Sequence, residues 1–269
     1  NKIGEVGYNL KGIATVTRQK YMTASEKGPW ANSYDRWRND NLTNRYQGVQ
    51  FGYTSAGRYT SWNDIWNYYG FKERDVLPGD YKYEDWNGDG EINGQDEHPF
   101  AFDQTPWLQF SLNAGLQWKN FDFNMLLQGS ALGSMEYKEP LHEIWGKNGG
   151  GALTQFLDRW HPVDPQADPY DPSAVWTSGH YAYTGRWART NSAFNRVSTA
   201  YLRLKSIELG YTFPKLKQIP NASLRVYANA YNLLTFTGVK FVDPEHPDDD
   251  LGRMYPLNKT YTLGVSLSF

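Results

Sequence analysis

Twelve residues in the first half of the chain carry oxygen donors at the spacing that wraps a hard cation. Asp85-Trp-Asn87-Gly-Asp89-Gly90-Glu91-Ile92-Asn93-Gly-Gln-Asp96 fits the calcium-loop pattern D-x-[DN]-x-[DN]-G with an acid at position twelve. Asp85, Asn87 and Asp89 stand at positions one, three and five. Glu91 offers its backbone carbonyl, Asn93 sits at nine and Asp96 at twelve. Gly90 permits the sharp turn that converges these oxygens on one point. Asp96 replaces the usual bidentate Glu, which predicts one-oxygen ligation or a weaker calcium site. A solvated acidic turn is the competing reading. Neither Pro78-Gly-Asp80 nor His98-Pro99 favours a helix, so the loop is not part of a helix-loop-helix sensor.

Aromatic rings crowd the stretches around this loop. Trp62, Trp66, Tyr68 and Tyr69 lie in one group; Trp145, Trp160, Trp176, Tyr181, Tyr183 and Trp187 lie in another. Each ring can pack a loop or sit at a headgroup boundary. As a set they are expected to place one or two rings on a substrate. Catalytic spacings are missing: there is no HExxH, GxSxG, P-loop or GxGxxG pattern. His142-Glu143 lacks a second His. Glu136, Glu139 and Glu143, or Asp164, Asp168 and Asp171, could pair as glycosidase carboxylates, but in such acidic loops they read as solvated charge. No enzyme activity is expected.

The elements that must position these residues are strands. Six segments alternate with period two. The segment at roughly 107–118 sets Leu108, Phe110, Leu112, Ala114, Leu116 and Trp118 against Gln109, Ser111, Asn113, Gly115 and Gln117. The others lie at roughly 6–17, 121–131, 201–213, 223–232 and 261–269. In the 201–213 segment Leu202 and Leu204 fall out of phase with Ile207, which predicts a bulge near Lys205-Ser206 or a strand that starts above an apolar band. Short and long connections alternate. Lys119-Asn120 and Pro214 to Ala222 are short; 18–106, 132–200 and 233–256 are long. Loops of that length are unusual in a compact soluble domain. Transmembrane barrels have short turns on one side, long loops on the other, and strands of about ten residues with apolar side chains outward.

Composition agrees. The 269 residues include 11 Trp and 20 Tyr, yet mean hydropathy is −0.71. An all-β membrane barrel shows this mixture because only alternate strand residues meet lipid. The net charge of −2 and the lack of a basic block argue against a nucleic-acid partner. With no Cys, disulfides and thiol catalysis are excluded. The first residues, Asn1-Lys-Ile-Gly, carry no leader pattern.

Several stretches resemble SusC/RagA-type TonB-dependent outer-membrane transporters. They are Pro78 to Ile92, Tyr201 to Pro214, Arg225 to Thr235, Asp243-Pro-Glu245 and Tyr255 to Phe269. Asn120-Phe121-Asp122 and Arg159-Trp160-His161-Pro162 fit as well. The matches run in family order from about residue 46 to the end. The resemblance implies a barrel of about 22 strands with an amino-terminal plug. Residues 1–269 would supply roughly its last six strands, with extracellular loops at 18–106, 132–200 and 233–256. The plug, the TonB contact and the remaining strands would lie outside this chain. It further implies an outer-membrane location, a SusD-like surface lipoprotein as lid, TonB as energy coupler, and an oligosaccharide or peptide as solute.

The lumen face would then carry Gln109, Ser111, Asn113, Gln117, Asn124, Gln128, Arg225, Tyr227 and Asn229. This neutral-polar wall favours a glycan over a peptide. The residues expected to touch substrate are Trp145, Trp160, Trp176, Trp187, Arg225 and Tyr227. The competing expectation is a secreted, calcium-stabilised glycan-binding β-protein.

Overall fold

A computed structural model describes residues 1–24, 32–33, 42–68, 76–138, 141–142, 153–183, 191–213, 222–245, 254–255 and 257–269. The described strands in chain order are β1 (Lys2–Ile3), β2 (Val6–Val16), β3 (Gln50–Gly52), β4 (Ser55–Arg58), β5 (Tyr81–Tyr83), β6 (His98–Ala101), β7 (Leu108–Trp118) and β8 (Phe121–Ala131). They continue as β9 (Ser134–Glu136), β10 (His161–Pro162), β11 (Trp176–Thr177), β12 (Arg196–Ser198), β13 (Tyr201–Phe213), β14 (Ser223–Thr237) and β15 (Thr260–Ser268). A short helix spans Trp62–Asn67. Among the described residues no helix is long and apolar enough to cross a membrane.

The six alternating segments form one antiparallel sheet in the order β1-β2-β7-β8-β13-β14-β15. The stub β1 is a seventh member that alternation could not reveal, because two residues show no period. It folds back on β2 through Gly4, whose φ is 60°. The tight turn at Lys119-Asn120 joins β7 to β8, with Trp118 opposite Phe121 and Lys119 at φ 53°.

Cross-strand register puts like with like. Leu116 faces Phe123, Ala114 faces Met125 and Leu112 faces Leu127. The same apolar row continues through Leu209 to Ala228 and Leu263. The opposite face carries Gln117 against Asp122 and Gly115 against Asn124, then Glu208 against Asn229 and Thr262. A one-residue slip would exchange these faces, so the pattern pins the register.

The phase break in β13 is a bulge. Leu204 pairs with Leu127 and Ile207 with Met125, while the register shifts between Leu204 and Ser206. The same irregularity opposes β14, where Asn232 has φ 53°. Past it β14 continues to Thr237, five residues beyond the expected 232, with Leu234 and Phe236 back on the apolar face. The polar Asn232, at an apolar-phase position, interrupts the alternation and hides this upper part.

The apolar face is bare. Leu10 is 67% exposed, Leu209 53%, Phe236 63% and Leu263 84%. A contiguous surface of this kind marks contact with lipid or protein. The buried core lies instead in the long connections. Tyr53, Tyr81, Tyr83 and Ile92 from the first pack with Ala182 and Phe194 from the second. Ring pairs at 4.7 Å (Tyr81–Phe194) and 5.6 Å (Tyr53–Tyr83) give this cap its shape. Arg58 lies over the Tyr81 ring and donates to the Gly79 carbonyl at 2.6 Å.

Candidate functional site: the polar face and its loop cap

At the short-turn end of the polar face three strands share one ion cluster. Arg225 on β14 donates to both carboxylate oxygens of Asp122 on β8, through Nε at 3.0 Å, and to Glu208 on β13 at 2.6 Å. Asn229 donates to the second Glu208 oxygen at 3.4 Å. The guanidinium also lies over the Tyr227 ring, 4.9 Å from its centre. Glycine makes this geometry possible. A Cβ on Gly210 would stand 2.5 Å from the Arg225 guanidinium, and one on Gly264 would stand 2.2 Å from the Tyr227 ring. Arg225 and Tyr227, both expected to touch substrate, are thus mutually stacked, and the Arg225 charge is met by two carboxylates. Asp122 and Glu208 were not among the site residues expected from the sequence. Their signal is that all three charges fall on the polar phase of their strands.

At the long-loop end a second cluster holds the last long connection down. Arg203 is 1% exposed. It donates to Glu245 at 2.6 Å, to Asp243 at 2.6 Å and to the Thr235 hydroxyl at 3.0 Å. The Tyr201 hydroxyl donates to the other Glu245 oxygen at 2.5 Å. A buried Arg whose three nitrogens each donate to a different side chain, two of them carboxylates, is a strong, directional anchor. Arg203 joins the polar phase only once the bulge is counted, which hides it from simple alternation. Beside this clasp a cavity of about 660 Å³ opens on the polar face, lined by strand residues of β2, β7, β8 and β13.

The tryptophans expected to meet substrate fall into two groups. Trp145 and Trp187 lie outside the described residues. Trp160 and Trp176 belong to the loop cap, around the β10–β11 pair, and not to the strands that carry Arg225 and Tyr227. The Trp160 ring covers Gly79, where a Cβ would come within 2.3 Å of it. Trp176 meets Tyr183 edge-on at 5.4 Å. The indole N–H groups of Trp160 and Trp176 are buried and make no hydrogen bond among the described residues.

The twelve-residue loop is closed by its own hydrogen bonds. Asp85 accepts the Gly88 and Gly90 amides at 2.7 and 2.8 Å, and Asp89 accepts the Glu91 amide at 2.8 Å. Asp96 is fully buried and accepts amides from Trp86 at 3.0 Å and from Asn93 at 2.7 Å. Asn93 caps the short turn Gly94–Asp96 with it. Trp86 stacks on His98 at 3.7 Å, sealing the Asp96 side. Among the described residues no three acidic or histidine side chains form a metal-holding group. Asp85, Asn87 and Asp89 stay exposed or half-exposed, and each bonded carboxylate oxygen keeps a second lone pair.

Loop carboxylates elsewhere serve turns. Asp164, Asp168 and Asp171 each accept the amide two residues on, at 2.8 to 2.9 Å. His142 is held down to a pKa of about 4 by burial. His180 is also lowered, by burial and then by the nearby Arg58 charge.

No family model matches the chain. It is 28% identical to TonB-dependent receptor P3 of Formosa agariphila over 211 residues, which are 72% of this chain and 19% of that protein. It is 27% identical over 239 residues to TonB-dependent receptor P26 of the same organism, covering 83% of this chain and 22% of that one. It is 26% identical over 210 residues to the TonB-dependent receptor SusC of Bacteroides thetaiotaomicron, covering 77% and 19%. The chain therefore spans about a fifth of the length of these relatives. Among solved structures, the RagAB peptide transporter superposes with a TM-score of 0.61 at 18% identity, over all of this chain and 28% of that one. The closed-closed state of the RagAB peptide importer gives the same values. The resemblance to SusC/RagA-type transporters holds in both comparisons, and the sheet has the fold of part of such a barrel.

Proposed function

We propose that these residues are wall and loops of an outer-membrane TonB-dependent importer that takes up oligosaccharides and works with a SusD-like surface lipoprotein. One observation carries this reading. Every long strand of a single sheet presents apolar side chains on one face and mostly small, polar or charged ones on the other, in register, with the apolar face bare. In water such a face is a liability; in a bilayer it is the outer wall of a barrel. The named relatives support the class. The charges of the two ion clusters on the polar face are taken up by one another, which supports a hydroxyl-rich solute over a charged one. The chain acts here as a binding and conducting wall, without an enzymatic role.

Open strand edges in hydrocarbon are untenable, because each unpaired backbone group there costs several kcal/mol. β1 and β15 therefore pair with further strands of the same barrel, around a plug that carries the TonB contact. The loop cap faces outward, where the lid meets it. Calcium binding at Asp85, Asn87, Asp89, the Glu91 carbonyl, Asn93 and Asp96 is a second element of the proposal. It rests on the donor spacing and on the lone pairs those oxygens retain.

The test is uptake. Cells carrying the full-length polypeptide should accumulate a labelled oligosaccharide, and deleting the TonB energy coupler should abolish it. Recovery of the polypeptide from the soluble fraction without detergent would sink the membrane reading. Energy-independent accumulation would sink the TonB reading.

A further inference from the structure

The cavity beside the Arg203 clasp continues into a second one of about 330 Å³; the two share Thr15, Thr105, Pro106 and Gln109. Five glutamines line the combined cleft: Gln19, Gln47, Gln104, Gln109 and Gln128. None of their side-chain amides makes a hydrogen bond among the described residues. Three charged groups also line the wall. Arg18 lies over the rings of Tyr46 and Trp107, at 4.5 and 5.8 Å. Asp103 accepts the Gln104 amide N–H at 2.8 Å. Glu245 is held by Arg203 and Tyr201. What the cleft offers a ligand in greatest number is side-chain amide groups.

We propose that this glutamine-lined cleft binds neutral oligosaccharide, with Gln109 and Gln128 as its central contacts. The proposal rests on the importer reading and names the site within it. A primary amide presents an acceptor oxygen and two N–H donors side by side. Adjacent sugar hydroxyls present the complementary pair. Gln109 on β7 and Gln128 on β8 share the polar face, with Gln109 opposite Ser130 and Gln128 opposite Ser111, on strands that fix their spacing. Trp107 and Tyr201 add ring edges to the wall.

The experiment uses the complete transporter purified in detergent with its lid lipoprotein. Cellohexaose, xylohexaose, mannohexaose and laminarihexaose are titrated calorimetrically beside a serine–glycine hexapeptide with free termini. At least one hexasaccharide should bind, the peptide should not, and Gln109→Ala combined with Gln128→Ala should weaken saccharide binding about tenfold. As a second readout, Gln109→Cys introduces a thiol into a segment that has none. A water-soluble thiol reagent should modify it, and the bound saccharide should protect it. Peptide binding without saccharide binding, no binding at all, an unaffected double variant, or an unreactive Gln109→Cys thiol would each overturn the proposal. Binding that persists in a transporter showing no TonB-dependent uptake would instead overturn the importer reading and leave this site standing.

Discussion

Leu204 and Ile207 of β13 lie on the same face of the sheet although they are three positions apart. Leu204 opposes Leu127 and Leu234; Ile207 opposes Met125 and Ala230. Strict alternation would put them on opposite faces. The bulge at Lys205 absorbs the extra residue and keeps one apolar surface continuous from Leu202 to Phe213. Deleting Lys205 should therefore remove the bulge and keep both faces as they are, whereas an alanine inserted after Lys205 with the bulge kept should turn Tyr201–Leu204 over, driving Arg203 toward the apolar side. Assembly, read as the heat-modifiable gel shift of a folded barrel, is expected to fail for the insertion and to survive both the deletion and Lys205→Ala.

The two faces of β7 should respond oppositely to charge. Leu112→Arg is expected to cost about 2–4 kcal/mol where the strand crosses mid-bilayer, whereas Asn113→Arg avoids that cost. Membrane-assembled protein per cell is the measure. Loss with Asn113→Arg alone would reverse the inside-outside assignment.

Arg203→Ala should free the connection that carries Asp243 and Glu245. The buried guanidinium makes two ion pairs at 2.6 Å, so its removal leaves two carboxylates without their partner. A destabilisation of about 2–4 kcal/mol is expected. Hydrogen exchange over residues 238–245 should rise while exchange in β7 and β8 stays unchanged. Uniform exchange across both regions would mean that the clasp does not hold that loop.

Two acids of the twelve-residue loop should behave differently. Asp96 is buried beneath Trp86 and His98 and accepts backbone amides, so Asp96→Ala should cost about 1–3 kcal/mol with or without calcium. Asp89 is exposed, and Asp89→Ala should leave calcium-free stability near wild type while abolishing any calcium-induced protection of residues 85–96. If millimolar calcium protects nothing in the wild-type loop, the metal proposal fails.

The loop around His142 should open in acid. Burial holds His142 at a pKa of about 4, against 6.5 when free. Its folded pKa is lowered, so between these values the unfolded loop binds a proton that the folded loop refuses. Stability is therefore full above about pH 6.5 and falls as pH drops toward about 4. Exchange in residues 137–142 should increase over that window, and His142→Phe should remove the pH dependence. Unchanged exchange from pH 7 to 4 would show that His142 is not held neutral.

Much of the sheet was legible because its information is local. Period-two alternation lies within each strand, and the two-residue turn at Lys119-Asn120 sets the β7–β8 register without help from distant residues. Alternation alone determined five of the six long strands to within two residues at either end, and it located the phase break in the other neighbourhood, β13. It could not extend β14 past Asn232, because this polar residue interrupts the apolar phase before Leu234 and Phe236 resume it.

Tertiary structure decided what required partners far apart in the chain. Arg225 and Asp122 are 103 residues apart, and only the pairing of β8 with β13 and of β13 with β14 brings them to one cluster. The loop aromatics are the same case. Tyr53, Tyr81 and Tyr83 become a core only where Phe194, from another connection, packs against them. Local spacing shows which side chains share a face. Whether a face meets solute, lipid or another loop depends on long-range pairing, whose free energy comes from contacts absent in any single segment.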